Sequence, residues 1–166
     1  MFVSLKRFLF NKLIDALPST CFSYRRFILR LMHVRTEKGA KVNEGFRVYG
    51  SGAVTIGKDT WVGKNCTLYT MPNAVISIGK NCDIGPETAF NCQTHETGTA
   101  EHRAGPCRFH DIRIGNGVWV GMRSVILCED VGDGAVIGAA SVVLSDVPEN
   151  ALAAGNPAEV KKILPS

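Results

Sequence analysis

Glycine is absent from the first 38 residues of this 166-residue chain, although 17 glycines follow. Acidic residues are nearly absent there too. Residues 1–41 carry nine Lys and Arg against two Asp and Glu, a charge of +7, and the remainder carries −3, which together make the chain's +4. No run of about 18 apolar residues occurs, which excludes a transmembrane helix. An uninterrupted apolar start is also missing, because Lys6, Arg7, Asn11, Lys12 and Asp15 divide residues 1–17. That pattern does not fit a secretory signal. The six cysteines are even in number, but without a signal and in a chain of this length they read as free thiols in a reducing cytoplasm, not as a disulfide framework. A composition 45% hydrophobic and 20% charged argues against disorder, and the length fits one domain.

From Ile56 onward an aliphatic–glycine pair recurs: Ile56-Gly57, Val62-Gly63, Ile78-Gly79, Ile84-Gly85, Ile114-Gly115, Val120-Gly121, Val131-Gly132 and Ile137-Gly138. Adjacent members of a pair stand six residues apart. Four positions after each aliphatic comes a mostly small residue: Thr60, Cys66, Cys82, Thr88, Val118, Ser124, Ala135 and Ser141. A step of six fits neither the helical period nor a long alternating strand. It fits a short strand, a corner and another short strand. Three such sides make a coil of about 18 residues, stacked on the next at roughly 4.8 Å. The aliphatics would fill the interior, and Gly, Asn and Asp would occupy corners that need positive φ. A β-sandwich could also be glycine-rich, but it has no reason to keep this step.

This pattern resembles the left-handed parallel β-helix of the hexapeptide-repeat acyltransferases, over about residues 36–160. The resemblance implies a mainly β fold with an N-terminal α-helical segment. It divides the chain into a helical cap (1–35), a β-helix (36–150) with a loop extruded at 91–111, and a C-terminal segment (151–166). Ile56 to Ile78 spans four residues more than a regular coil, which predicts an enlarged corner near Tyr69–Asn73. Ile114 to Val131 falls one short, which predicts a tightened corner at Cys128–Asp130.

Asn91–Asp111 breaks the repeat and carries three of the four histidines. Long irregular segments in compact domains are usually functional. Thr94-His95-Glu96, then Glu101-His102-Arg103-Ala104-Gly105, then Ile112 to Gly121 look like the sugar and polysaccharide O-acetyltransferases. By that resemblance His95 is the general base that takes a proton from a saccharide hydroxyl as it attacks acetyl-CoA, by direct transfer. Glu101 and Arg103 would either bind the acceptor or fix the loop through a salt bridge. Trp119, Gly121, Ala139 and Ala140 would line the CoA groove, with Lys161 and Lys162 meeting its phosphates. Glu159 stands where a basic residue is common. Gly63 stands where the small-sugar enzymes carry a sugar-binding Asn, so the acceptor is held differently here. The family's groove lies between two subunits of a homotrimer.

Two other chemistries share these motifs or this loop. N-acetylation of a nucleotide-linked amino sugar uses the same elements. Cys92, His95, His102, Cys107 and His110 could in principle bind zinc, and the γ-class carbonic anhydrases use a related β-helix. The spacings match no standard zinc pattern, so no metal is expected.

The glycine-free N-terminus places Phe2, Leu5, Leu9, Leu13 and Leu17 at helical spacing, and a second amphipathic stretch covers Tyr24–Met32. These helices are expected to pack on the open end of the β-helix and hide its edge strands. A basic surface for anionic membrane is the alternative, which would put the enzyme at the inner face of the membrane. Nucleic-acid binding is disfavoured, because the basic residues interleave with a heavily apolar face.

Overall fold

The computed structural model describes residues 2–165. Two helices, α1 (Phe2–Asp15) and α2 (Phe22–Leu31), precede a left-handed parallel β-solenoid. Coil one comprises β1 (Val34–Thr36), β2 (Lys41–Val42) and β3 (Arg47–Tyr49). Coil two comprises β4 (Ala53–Ile56), β5 (Trp61–Val62) and β6 (Thr67–Tyr69). Coil three comprises β7 (Val75–Ile78), β8 (Asp83–Ile84) and β9 (Ala89–Asn91). A hairpin of β10 (Gln93–Thr97) and β11 (Ala104–Phe109) follows. Coil four comprises β12 (Ile112–Ile114), β13 (Trp119–Val120) and β14 (Val125–Ile126). Coil five comprises β15 (Asp130–Val131), β16 (Val136–Ile137) and β17 (Val142–Val143), after which come β18 (Ala151–Gly155) and β19 (Ala158–Ile163).

Each face of the prism is one parallel sheet. The first runs β1-β4-β7-β12-β15 and the third β3-β6-β9-β14-β17. The second runs from β2 through β5, β8, β13 and β16 to β18, with β19 added antiparallel at its edge. All eight repeat aliphatics are buried, and so are the eight residues four positions beyond them. The hydroxyls and thiols of those inner residues serve the backbone. Thr60 donates to the carbonyl of Gly79 at 2.6 Å, Ser141 to Gly138 at 2.7 Å, and Ser124 to both Gly121 and Gly138 at 2.9 and 3.0 Å. Small polar residues recur there because corner carbonyls turn inward and need donors.

Glycine after the aliphatic answers a different constraint. A Cβ at Gly79 would sit 2.4 Å from the carbonyl oxygen of Gly115, and one at Gly121 2.4 Å from the nitrogen of Ala139. Stacked corners come too close there for any side chain. Positive φ falls two residues beyond the glycine, at Asp59, Asn65, Asn81, Glu87, Arg123 and Ala140. Ala140 holds φ +56° with its N–H bonded to the carbonyl of Met122 at 2.8 Å. Its side chain therefore raises the energy of a backbone that glycine adopts freely. Ala140→Gly is expected to raise the unfolding free energy by about 1 kcal/mol. A lowered denaturant midpoint would contradict this.

Two corners keep the six-residue step in every coil, and the third absorbs all variation. From the third face to the first, the step is eight residues from Val48 to Ile56 and ten from Leu68 to Ile78. It is 24 from Phe90 to Ile114, five from Ile126 to Val131 and four from Val143 to Val147. Both irregularities expected from the repeat, the enlarged and the tightened corner, lie here. The loop at 91–111 leaves the same corner, and it is less irregular than its sequence suggests, because most of it forms the β10–β11 hairpin.

The helices close the N-terminal end, but with the opposite face from the one the apolar spacing suggests. α1 buries Arg7, Asn11 and Ile14, while Phe2, Leu5, Leu9 and Leu13 are exposed. Asn11 acts as a surrogate strand: its amide donates to the carbonyl of Val48 and accepts from the N–H of Val48, both at 3.1 Å. Arg7 reaches the carbonyls of Met32, Gly50 and Gly52 and the hydroxyl of Thr70 at 2.8–3.1 Å. Arg25 donates to the carbonyl of Val42 at 2.8 Å. Polar side chains face inward because an edge strand presents unpaired carbonyls and N–H groups that only polar groups can satisfy.

Candidate active site

His95 lies in β10, solvent-exposed, across the hairpin from Cys107. Its Nδ1 is 2.8 Å from the carbonyl oxygen of Gly105. A carbonyl only accepts, so Nδ1 carries the proton of the neutral ring and Nε2 keeps a free lone pair. This geometry suits a proton acceptor. The backbone shift between His95 and Thr97 and the two loop glycines produce it. A Cβ on Gly98 would meet the carbonyl oxygen of His102 at 2.3 Å and the Cα of Gly105 at 3.3 Å.

The other loop residues divide. Arg103 donates to the carbonyl of Gly98 at 3.3 Å, and no ion pair joins it to Glu101 among the described residues. Glu96 pairs instead with Arg108 at 3.6 Å, across the hairpin. Glu101 and His102 are exposed at the hairpin tip, and His110 lies at its base, beside a cleft of about 420 Å³ that also involves Leu127, Cys128, Leu144 and Asp146. Cys92 is buried and donates to the carbonyl of Tyr69 at 3.3 Å. The five Cys and His side chains of the loop are thus spread from the coil interior to the hairpin tip. Among the described residues, no three His, Cys, Asp or Glu side chains group as metal ligands.

Burial pushes the Cys66 thiol up to about 11 and the Cys128 thiol up to about 12. Both are protonated packing groups, not nucleophiles. All six cysteines are free.

The residues expected on the donor side lie on or beside the second face. Trp119 is 59% exposed, and the ladder continues outward through Val136 and Leu152 to Lys162. Lys162 is therefore three strand spacings from Trp119, about 14 Å. Gly121, Ala139 and Ala140 form the adjoining corner between the second and third faces, where both alanines are exposed. Lys161 bonds Glu159 at 3.1 Å. The acid that departs from the expected basic residue thus engages the neighbouring ammonium.

These two sets do not meet within one chain. The hairpin leaves the corner between the third and first faces, and that corner is opposite the second face of a triangular prism. A separate cleft of about 420 Å³ on the first face, lined by Arg35, Ser77, Lys80, Arg113 and Asn116, takes in neither His95 nor Trp119.

Comparison with known proteins agrees with this architecture. Residues 53–86 and 111–145 match the hexapeptide repeat of succinyl-transferase. WcaF of Escherichia coli, assigned by name to acetyl transfer in colanic acid biosynthesis, is 30% identical over 147 residues, covering 86% of this chain and 76% of the relative. Galactoside O-acetyltransferase of the same organism is 34% identical over 113 residues, covering 68% of this chain and 54% of the relative, little more than half its length. A hexapeptide-repeat acetyltransferase from Vibrio cholerae, solved with acetyl coenzyme A, superposes with a TM-score of 0.86 at 25% identity, covering 99% of this chain and 88% of that one.

Proposed function

The chain belongs to the hexapeptide-repeat acyltransferases and is an acetyl-CoA-dependent acetyltransferase, and we propose that it O-acetylates a saccharide in surface-polysaccharide assembly. The observation that carries this reading is the His95 imidazole, oriented by the Gly105 carbonyl so that Nε2 is free. Bound acetyl-CoA supplies an activated acetyl thioester. Nε2 of His95 accepts the proton of the acceptor hydroxyl as its oxygen bonds to the acetyl carbon. The same nitrogen returns that proton to the departing sulfur, so the enzyme ends as it began.

Trp119, Gly121, Ala139 and Ala140 form the apolar wall for the pantetheine arm, and Lys162 supplies a point charge for phosphate. Lys161, held by Glu159, contributes less. Glu101 and Arg103, at the hairpin end, would meet the acceptor. His95 and Trp119 lie on opposite sides of one prism, so the complete site is formed by the hairpin of one subunit and the second face of another. A homotrimer meets this need with three equivalent sites. Acetyl-CoA as donor fits a cytoplasmic enzyme.

Release of free thiol from acetyl-CoA tests the reading, measured against glycans and amino-sugar nucleotides. Turnover is expected with a hydroxyl acceptor. Turnover confined to an amine would replace O- by N-acetylation. Trp119→Ala is expected to raise the KM for acetyl-CoA about tenfold, leaving the acceptor KM unchanged. An unchanged KM for acetyl-CoA would remove Trp119 from the donor site.

A further inference from the structure

We infer that the outer faces of α1 and α2 form a docking surface for an anionic lipid bilayer. At 100° per residue, the buried side of α1 is centred on Arg7, Asn11 and Ile14. The opposite side carries Phe2, Leu5, Leu9 and Leu13, 47–79% exposed. Lys6 and Lys12 flank this stripe, one on each side. α2 repeats the arrangement, burying Arg25, Ile28 and Leu29 while Phe27, 61% exposed, lies outside beside Arg30. A cap that only sealed the prism would turn its apolar stripe inward. Here polar contacts to the first coil fix the helices and leave the stripe to water, which is costly unless another phase covers it.

Charge selects the occupant. From Phe2 to Arg35 the only acidic side chain is Asp15, and it is held by Arg47 at 2.8 Å. The free charges around the apolar stripe are therefore all positive. A second copy using the same face would bring Lys6, Lys12 and Arg30 against their equivalents. An anionic bilayer satisfies both parts: acyl chains receive the leucines and phenylalanines, and headgroups receive the ammonium groups at the ends of their flexible stems. No helix among the described residues is long and apolar enough to cross a membrane, so contact would be at the surface. Anchoring by Arg7 and Asn11 holds the stripe ready without folding on contact. This inference does not rest on the acetyl-transfer reading.

Flotation of the full chain tests it. One set of vesicles is phosphatidylcholine alone, and the other is equal parts phosphatidylcholine and phosphatidylglycerol. Binding is expected to be at least about tenfold stronger to the anionic vesicles and to weaken with salt. Lys6→Ala with Lys12→Ala should lower it about 30-fold. Leu5→Ser with Leu9→Ser and Leu13→Ser should lower it at least about tenfold. These side chains are exposed, so the variants should keep the wild-type melting temperature and oligomeric mass. Absence of flotation, or equal flotation with neutral vesicles, would overturn the proposal. So would a change in sedimentation mass in the leucine variant, which would assign the stripe to a subunit contact.

Discussion

His95→Asn is expected to lower kcat by about 10²–10⁴ while leaving the KM for acetyl-CoA and the melting temperature unchanged. The choice of asparagine separates chemistry from loop geometry. Its side-chain amide can donate to the Gly105 carbonyl much as Nδ1 does at 2.8 Å, so the hairpin keeps its turn. What it lacks is a basic nitrogen facing the acceptor. Exposed substitutions of this kind move stability by no more than about 0.5 kcal/mol. A purely positioning role would therefore leave His95→Asn active and His95→Ala impaired. A base leaves both impaired to a similar degree. Near-wild-type turnover of His95→Asn in the thiol-release assay would end the assignment of His95 as base.

The solenoid was legible because coils two to five all carry the same aliphatic–glycine step. Ile78 and Ile114 stack across 36 residues of chain, yet the aliphatic–glycine pair marks both. Corner geometry repeats, so one reading is tested in each coil. The cap has no such redundancy. Its apolar spacing is a helix signal, and it located α1 and α2 to within about two residues. Helical spacing specifies a stripe without stating what lies against it. The first coil presents backbone groups as well as apolar side chains, and that demand reversed the face of α1. Arg7 gives no local sign of its burial, since Lys6 beside it is equally basic and exposed. The site divides in the same way. His95 stood out through its motif, whereas the bond that orients it depends on a glycine carbonyl ten residues away. The separation of His95 from Trp119 follows from which corner extrudes the hairpin, a matter of three-dimensional closure. The engagement of Lys161 by Glu159 depends on two exposed side chains in β19, which no repeat constrains.

Arg7→Met is expected to destabilise the fold by about 3–5 kcal/mol, the largest stability effect of any single substitution considered. Methionine can occupy much of the channel, so volume loss is the smaller part. The carbonyls of Met32 and Gly52 lose the Arg7 donor, the Gly50 carbonyl keeps only the Ser4 hydroxyl at 3.4 Å, and the Thr70 hydroxyl loses one contact. Thr70 keeps its bonds to the carbonyl of Tyr49 at 2.7 Å and from the N–H of Gly52 at 3.1 Å, which limits its share. Each buried group left unpaired costs about 1–3 kcal/mol. The guanidinium itself is expensive to bury, and desolvation lowers it to about 10, so it remains charged at neutral pH. Removing it recovers that desolvation cost, and this recovery keeps the net below the sum of the lost bonds. Asn11→Ala should cost less, since it leaves only the two backbone groups of Val48 unpaired. Arg7→Lys should fall between, because one ammonium cannot span three carbonyls arranged around a planar fork. Urea unfolding followed by circular dichroism orders the three. If Arg7→Met unfolds at the wild-type midpoint, the edge of the first coil is sealed by something other than these hydrogen bonds, and α1 would be free to turn its apolar stripe inward.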